Sequence, residues 1–204
     1  MLFYIIRHGE TEWNALRKVQ GCADIPLAEE GIRLAHQTGE ALKDVSFDIC
    51  FTSPLKRARK TAELVLGDRK DSVPMIEDTR IQEINFGVLE GARSRDEHGN
   101  IINEQMCVFF NDPDHFRRPA GGENIRDICR RTRSFWLEKT ADPALQDKTI
   151  LIASHGCAVR ALLQNVYPEG TPFWNGCVPP NCSVNIIEVT NGHPVFLAQD
   201  KVYH

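Results

Sequence analysis

The sequence predicts an α/β fold built on a mostly parallel sheet. Short apolar runs alternate with segments of helical period along the chain. The run at 2–6 is apolar without alternation, as strands covered on both faces are, and those at 47–51 and 149–153 are predominantly apolar. Each run stops at polar or reactive residues: Arg7-His8-Gly9, Thr52-Ser53-Pro54 and Ser154-His155-Gly156.

The first strand spans 2–6. Residues 9–27 are polar, with Gly21 and Pro26, and read as loop with one helical turn at most. Ile32, Ala35, Gly39 and Leu42 keep a helical period and predict an amphipathic helix over 29–43. The strand at 47–51 follows, then a helix marked by Leu55, Ala58, Ala62, Val65 and Leu66 and closed by Gly67. A short strand is expected near 74–77. Residues 88–120 lack a clean period and hold three Phe, four Arg and two Pro, so they read as an inserted cap or lid. Ile125, Ile128, Cys129, Thr132 and Trp136 place a helix over 123–139. After the strand at 149–153, Val159, Leu162, Leu163 and Val166 mark another helix. Strands at 184–189 and 195–199 are expected to pair through an Asn191-Gly192 hairpin turn.

Composition narrows the function classes. The 204 residues carry 24 Lys or Arg against 28 Asp or Glu, a net charge of −4, with 42% hydrophobic residues. That is globular composition, and one domain over 1–204 is expected. The mild acidity argues against a nucleic-acid partner but leaves room for a local cationic pocket. No apolar run approaches the roughly 18 residues a membrane span needs, and the N-terminus lacks the marks of a signal peptide. Seven Cys at 22, 50, 107, 129, 157, 177 and 182, without Cys-x-x-Cys, read as reduced thiols of a cytoplasmic protein.

If the three apolar strands are parallel neighbours, two His and at least two Arg meet at one sheet edge, where ligands of such sheets collect. The Gly after each His lets backbone approach a ligand closely. These ingredients suit a phosphate monoester: guanidinium forks neutralise its charge, and a neutral imidazole can attack phosphorus. A carboxylic acid can then protonate the leaving alkoxide. Glu83, in Ile81-Gln82-Glu83-Ile84-Asn85-Phe86-Gly87, stands among apolar residues that favour its protonated form. The scheme calls for no metal and no cofactor.

At Arg7-His8-Gly9-Glu10-Thr11-Glu12-Trp13-Asn14 the sequence resembles the histidine phosphatase superfamily, the phosphoglycerate-mutase-like fold. Further matches, in family order, are 24–31, Ser53-Pro54-Leu55-Lys56-Arg57-Ala58, Glu83 with Phe86-Gly87, Gly121-Gly122-Glu123 and Ser154-His155-Gly156. The resemblance implies a three-layer sandwich with an inserted cap. It implies His8 as the phosphorylated nucleophile, with Arg7, Arg57 and His155 on the phosphoryl group and Glu83 as proton donor. Asn14 would support the pocket, Gln20 and Gly21 would lie in the loop over the substrate, and Gly156 would admit the ligand. The partner implied is a small phosphorylated metabolite; a homodimer stays open.

Two departures favour a phosphatase over a bisphosphoglycerate-dependent mutase. Ile84 follows Glu83 where such mutases usually carry Arg, and the insertion is shorter. Arg117 and Arg118 keep the mutase alternative, because paired arginines in that region grip phosphoglycerate in mutases. A non-catalytic phospho-ligand module ranks below both, since the core set is intact. Ala28 replaces a frequent Thr at a helix N-cap, a change of about 1 kcal/mol.

Plainer readings stand beside these. On the helical wheel Arg57 lies away from the Leu55, Ala58, Ala62 stripe, which by period alone makes it solvated; Arg59 is then the substitute. Glu83 could instead be a surface carboxylate or the partner of Arg80. Zinc on His8, His155, Cys22 and Cys157 is disfavoured by spacing and by neighbouring Arg. The aromatics of 109–116 either anchor the cap or wall the pocket.

Overall fold

The structure is a computed structural model and describes Met1 to Tyr203. Strands β1 (Leu2–Arg7), β2 (Ile49–Thr52), β3 (Met75–Glu77) and β4 (Thr149–Ser154) run parallel. β5 (Val184–Thr190) and β6 (His193–Lys201) are antiparallel and extend the sheet beyond β1. The order is β3-β2-β4-β1-β5-β6, so β4 and β1 are central. Asn191 (φ +51°) and Gly192 (φ +78°) make the hairpin with both turn residues left-handed, as a two-residue turn of this kind requires.

The helices are α1 (Glu12–Ala15), α2 (Glu29–Ala41), α3 (Lys56–Leu66), α4 (Glu104–Asn111), α5 (Ile125–Ala141) and α6 (Gly156–Leu163). Strand alternation divides the core. Phe3, Ile5, Ile150 and Ile152 pack with Phe135, Trp136, Val159 and Leu162. Ile6, Cys50, Leu151 and Ala153 pack with Leu34, Ala35, Ala62 and Val65 on the opposite side. The result is α2 and α3, sheet, α5 and α6, a three-layer sandwich. Each fully buried Leu, Ile or Phe contributes roughly 1.5–3 kcal/mol, which explains why the central strands are apolar at every position rather than at alternate ones. Among the described residues no helix is long and apolar enough to cross a membrane.

Helix boundaries follow local chemistry. Ala28 precedes α2 without a side-chain cap, whereas Asn124 caps α5 and shares a capping box with Asp127. The 88–120 segment is more ordered than its sequence predicts, because it contains α4, capped by Asn103. The helix is short, and its apolar residues spread around it, with Met106 and Phe109 buried and Val108 and Phe110 half-buried. That spread removes the periodic signal. The segment packs as a third apolar cluster with Phe86, Ile125, Ile128, Phe173 and Trp174.

Candidate active site

Register levels the three strand ends. Arg7 lies opposite Ser154 and Thr52 opposite Ala153, so His8, Ser53 and His155 leave the sheet side by side. The ladder continues one step further: His8 N–H donates to the Ser154 carbonyl (2.9 Å) and Ser53 N–H to the Ala153 carbonyl (3.0 Å). The His8 and His155 rings stand 5.2 Å apart between centroids.

His8 is buried, and its Nδ1 lies 2.7 Å from the Gly9 carbonyl. A carbonyl only accepts, so Nδ1 carries the proton and Nε2 keeps its lone pair. Burial, then the charges of Arg57 and Arg7, hold the ring well below the usual imidazole pKa, against the Gly9 bond. It is a neutral base with a fixed tautomer. His155 is fully buried, with Nε2 2.7 Å from Ser53 Oγ. Ser53 Oγ also accepts the Leu55 N–H at 3.3 Å, and among the described residues its own proton has no acceptor other than His155 Nε2, so it goes there. His155 then presents N–H at Nδ1. Its pKa is also pushed well down, by burial first and then by Arg57 and His8.

Arg57 is fully buried, which overturns the solvated reading that its wheel position favours. Its guanidinium donates to the carbonyls of Gly21 (2.6 Å) and Ala23 (2.8 Å). Burial lowers its pKa to about 10, where it stays charged at neutral pH. The helix wheel treats the side away from the stripe as solvent, yet here the 21–23 loop covers the first turn of α3. Arg59, the substitute candidate, is exposed and pairs with Glu77 and Glu63.

Glu83 is buried on the N-terminal turn of α6. Its Oε1 accepts from Ile84 N–H and Ala158 N–H, both at 3.0 Å, and its Oε2 from Cys157 N–H at 3.1 Å. Burial raises its pKa, outweighing those bonds and the charges of Arg57 and Arg7. It is therefore neither a surface carboxylate nor the partner of Arg80, which pairs with Asp78 and Glu138. A Cβ at Gly156 would stand 2.8 Å from Val178 Cγ1, 3.5 Å from Arg7 Nε and 3.6 Å from Glu83 Oε2. Glycine keeps that concavity open.

Four buried donors at this edge have no partner among the described residues: Arg7 Nε, Arg57 Nε, His155 Nδ1 and Gln20 Nε2. Each costs about 1–3 kcal/mol when unpaired, and donors of these kinds suit an oxyanion. Arg7, Asn14, Gln20, Glu83 and Gly156 line one pocket. Asn14 also closes a capping box with Thr11, whose hydroxyl is 2.7 Å from Gln20 Oε1.

Gly21 lies in the loop beside the site, where its carbonyl holds Arg57; a Cβ there would meet the Ile84 carbonyl at 2.4 Å. Two expected binding residues stand elsewhere. Arg117 and Arg118 face a separate cleft with Val88, Glu104 and His115. Arg118 is held there by Asp127 at 2.8 Å, because α5 opens beside it.

Other contributors carry no local sequence signal. Glu90 accepts from Cys22 N–H (2.7 Å) and Ala23 N–H (2.6 Å), fixing the loop that holds Arg57. Arg131 donates to the carbonyls of Arg80, Gln82 and Glu83 and is paired with Glu123. Ser53, at a strand end, and Glu123, in Gly121-Gly122-Glu123, stood at positions that the sequence marks. Among the described residues no three His, Cys, Asp or Glu side chains group as metal ligands would.

Residues 3–201 match the family described as histidine phosphatase superfamily (branch 1). The chain belongs to that superfamily. A 2,3-bisphosphoglycerate-dependent phosphoglycerate mutase of Xanthobacter autotrophicus is 33% identical over 175 residues, covering 83% of this chain and 84% of that protein. The alpha-ribazole phosphatase of Shigella flexneri superposes with a TM-score of 0.83 at 27% identity, covering 98% of this chain and 96% of the other. Phosphoserine phosphatase of Entamoeba histolytica, solved with 3-phosphoglyceric acid, gives 0.77 at 30% identity over 97% and 95%. This histidine phosphatase superfamily member thus has relatives named as mutase and as phosphatase, and the fold does not separate the two.

Proposed function

We propose that the protein hydrolyses phosphate monoesters of small metabolites through a phosphohistidine at His8. The observation that carries the reading is the placement of a neutral imidazole and a raised-pKa carboxyl around one set of unpaired cationic and N–H donors. His8 Nε2 attacks phosphorus; the P–Nε2 bond forms as the bond to the alcohol oxygen breaks, and Glu83 gives that oxygen its proton. The Gly9 carbonyl, accepting from Nδ1, stabilises the ring as it gains positive charge. In the second step Glu83 takes a proton from water, whose oxygen displaces His8 from phosphorus. Arg7, Arg57 and His155 balance charge on the phosphoryl oxygens in both steps.

Hydrolysis is favoured over transfer back to a phosphoglycerate by two features. The residue after Glu83 is Ile84, fully buried, and Arg117 and Arg118 lie outside the pocket. The mutase reading keeps the support of the relative 33% identical to the chain. The test is a phosphate-release assay over a panel of phosphorylated metabolites, run beside conversion of 3-phosphoglycerate with a bisphosphorylated primer. Stoichiometric phosphate release is expected, together with acid-labile, base-stable labelling that His8→Ala abolishes. Primer-dependent isomerisation with little phosphate released would establish the mutase instead, and label retained on His8→Ala would remove His8 as the nucleophile.

A further inference from the structure

Beyond the reacting atoms the pocket lining is mixed. Asn14 and Lys18 are polar members of it. Its apolar members come from separate segments whose rings touch through Phe109 and each other: Phe86 from the Glu83 loop, Phe110 from α4, and Trp174, with Val178, from the loop before β5. A cap anchored by a single apolar stripe would not need that convergence. Phe109 is the anchor, 2% exposed, with its ring 5.0 Å from Phe86 and 5.1 Å from both Phe110 and Trp174. Phe110 is half-buried, and its ring lies 5.7 Å from Trp174 at 39°. The only polar atom of the Trp174 side chain is used up, because Nε1 donates to the Phe109 carbonyl at 2.8 Å. What Trp174 offers the pocket is ring surface alone.

Resting on the monoester reading above, we propose that the alcohol part of the substrate is ring-bearing and apolar, an aryl or arylalkyl group that packs against Phe110 and Trp174. A small acidic alcohol such as glycerate would leave that wall bare and put its carboxylate against aromatic rings. The cations nearest that wall are already engaged: the Lys18 ammonium sits 5.6 Å from the Trp13 ring, and the Arg95 guanidinium lies 5.1 Å from the Phe110 ring and donates to the Gly99 carbonyl. Aromatic pairs and the apolar area they bury account for a tenfold or larger preference when a ring meets a preformed apolar wall.

The test separates binding from turnover by using phosphonates, which cannot be hydrolysed. The intact protein is titrated calorimetrically with 2-phenylethylphosphonate, ethylphosphonate and 2-carboxyethylphosphonate, which share one anion and one spacer. The expected order places the phenyl compound at least tenfold tighter than the other two. In Phe110→Ala, whose half-buried side chain can be removed without opening the core, the phenyl-to-ethyl ratio should fall about tenfold, toward one; Phe110→Trp should retain it. Equal affinities, tighter binding of the carboxylate, or no binding of any of the three would overturn the assignment. Failure of the protein to release phosphate from 2-phenylethyl phosphate, with the phosphonate preference intact, would instead count against hydrolysis and leave the ring site standing.

Discussion

His8 and Glu83 are moved in opposite chemical directions by one cause. Burial penalises the charged form of each, so the imidazole loses its proton more readily and the carboxyl holds its proton longer. Catalysis by this pair needs His8 neutral and Glu83 protonated, and the two shifts widen the pH range in which both hold. The sign follows for the wild type: activity on an alkyl ester rises as His8 deprotonates, below the ordinary 6.5, and falls as pH climbs through the raised pKa of Glu83. Dividing kcat/KM of the wild type by that of Glu83→Gln cancels the ionisation of the substrate. The quotient should be about 10²–10⁴ at acid pH, the usual worth of a general acid, and decline toward alkaline pH. A quotient flat with pH would remove Glu83 as the acid. Both His residues were readable from sequence because each follows an apolar strand directly, where pattern fixes position. Arg57 was readable only through its family motif. Its burial comes from the 21–23 loop folding over α3, a contact between residues 34 and 36 apart that no helical period encodes.

At the level of elements, the Glu83 loop is a short irregular segment that acquires its rigidity from α5. Arg131 reaches across to three carbonyls of its backbone, at Arg80 (2.8 Å), Gln82 (2.7 Å) and Glu83 (2.9 Å). Glu123, from the loop before α5, accepts from Arg131 Nε at 2.9 Å and from Asn85 N–H at 3.0 Å. Arg131 touches no reacting atom, so its place is that of a positioning residue. Arg131→Met removes the three carbonyl bonds and leaves Glu123 without its cation; a loss of roughly 1–3 kcal/mol in stability is expected from unpairing half-buried groups. The expected kinetic mark is a tenfold or larger fall in kcat with the inhibition constant of inorganic phosphate nearly unchanged, and partial recovery in Arg131→Lys. Equal losses in phosphate affinity and kcat would show a general collapse of the site rather than a misplaced acid. The strands and the helices of the sandwich were legible because each has one or two buried faces and hence a period. α4 was not, since a short helix packed into the third apolar cluster shows apolar residues on several sides.

Across the whole molecule the site carries a cost in stability that should be visible in the pH dependence of unfolding. His8 and His155 are folded with pKa values well below 6.5 and regain ordinary values when the chain unfolds. As pH falls past 6.5 the unfolded chain therefore binds more protons than the folded one, and stability decreases. Each such ring contributes up to about 1.4 kcal/mol per pH unit until its folded pKa is reached. Glu83 acts with the opposite sign. Its folded pKa lies above 4.5, so in the window between the two values it is the folded state that holds the extra proton, and stability falls as pH rises. His115, exposed and raised by its bond to Asp112, has the same sign as Glu83, but the two fully buried imidazoles outweigh both, so urea unfolding from pH 7.5 to pH 5.5 should show a net loss of stability. His8→Asn should reduce that slope by up to about 1.4 kcal/mol per pH unit, because it removes one titrating ring. Inorganic phosphate extends the argument. A dianion among the unpaired donors of Arg7, Arg57 and His155 stabilises the folded state by mass action and also favours protonated imidazole. Saturating phosphate should raise the unfolding midpoint and flatten its pH slope together in the wild type. A slope insensitive to both phosphate and His8→Asn would mean that the rings titrate as they do in water, and that the donor-lined edge does not receive a phosphate dianion.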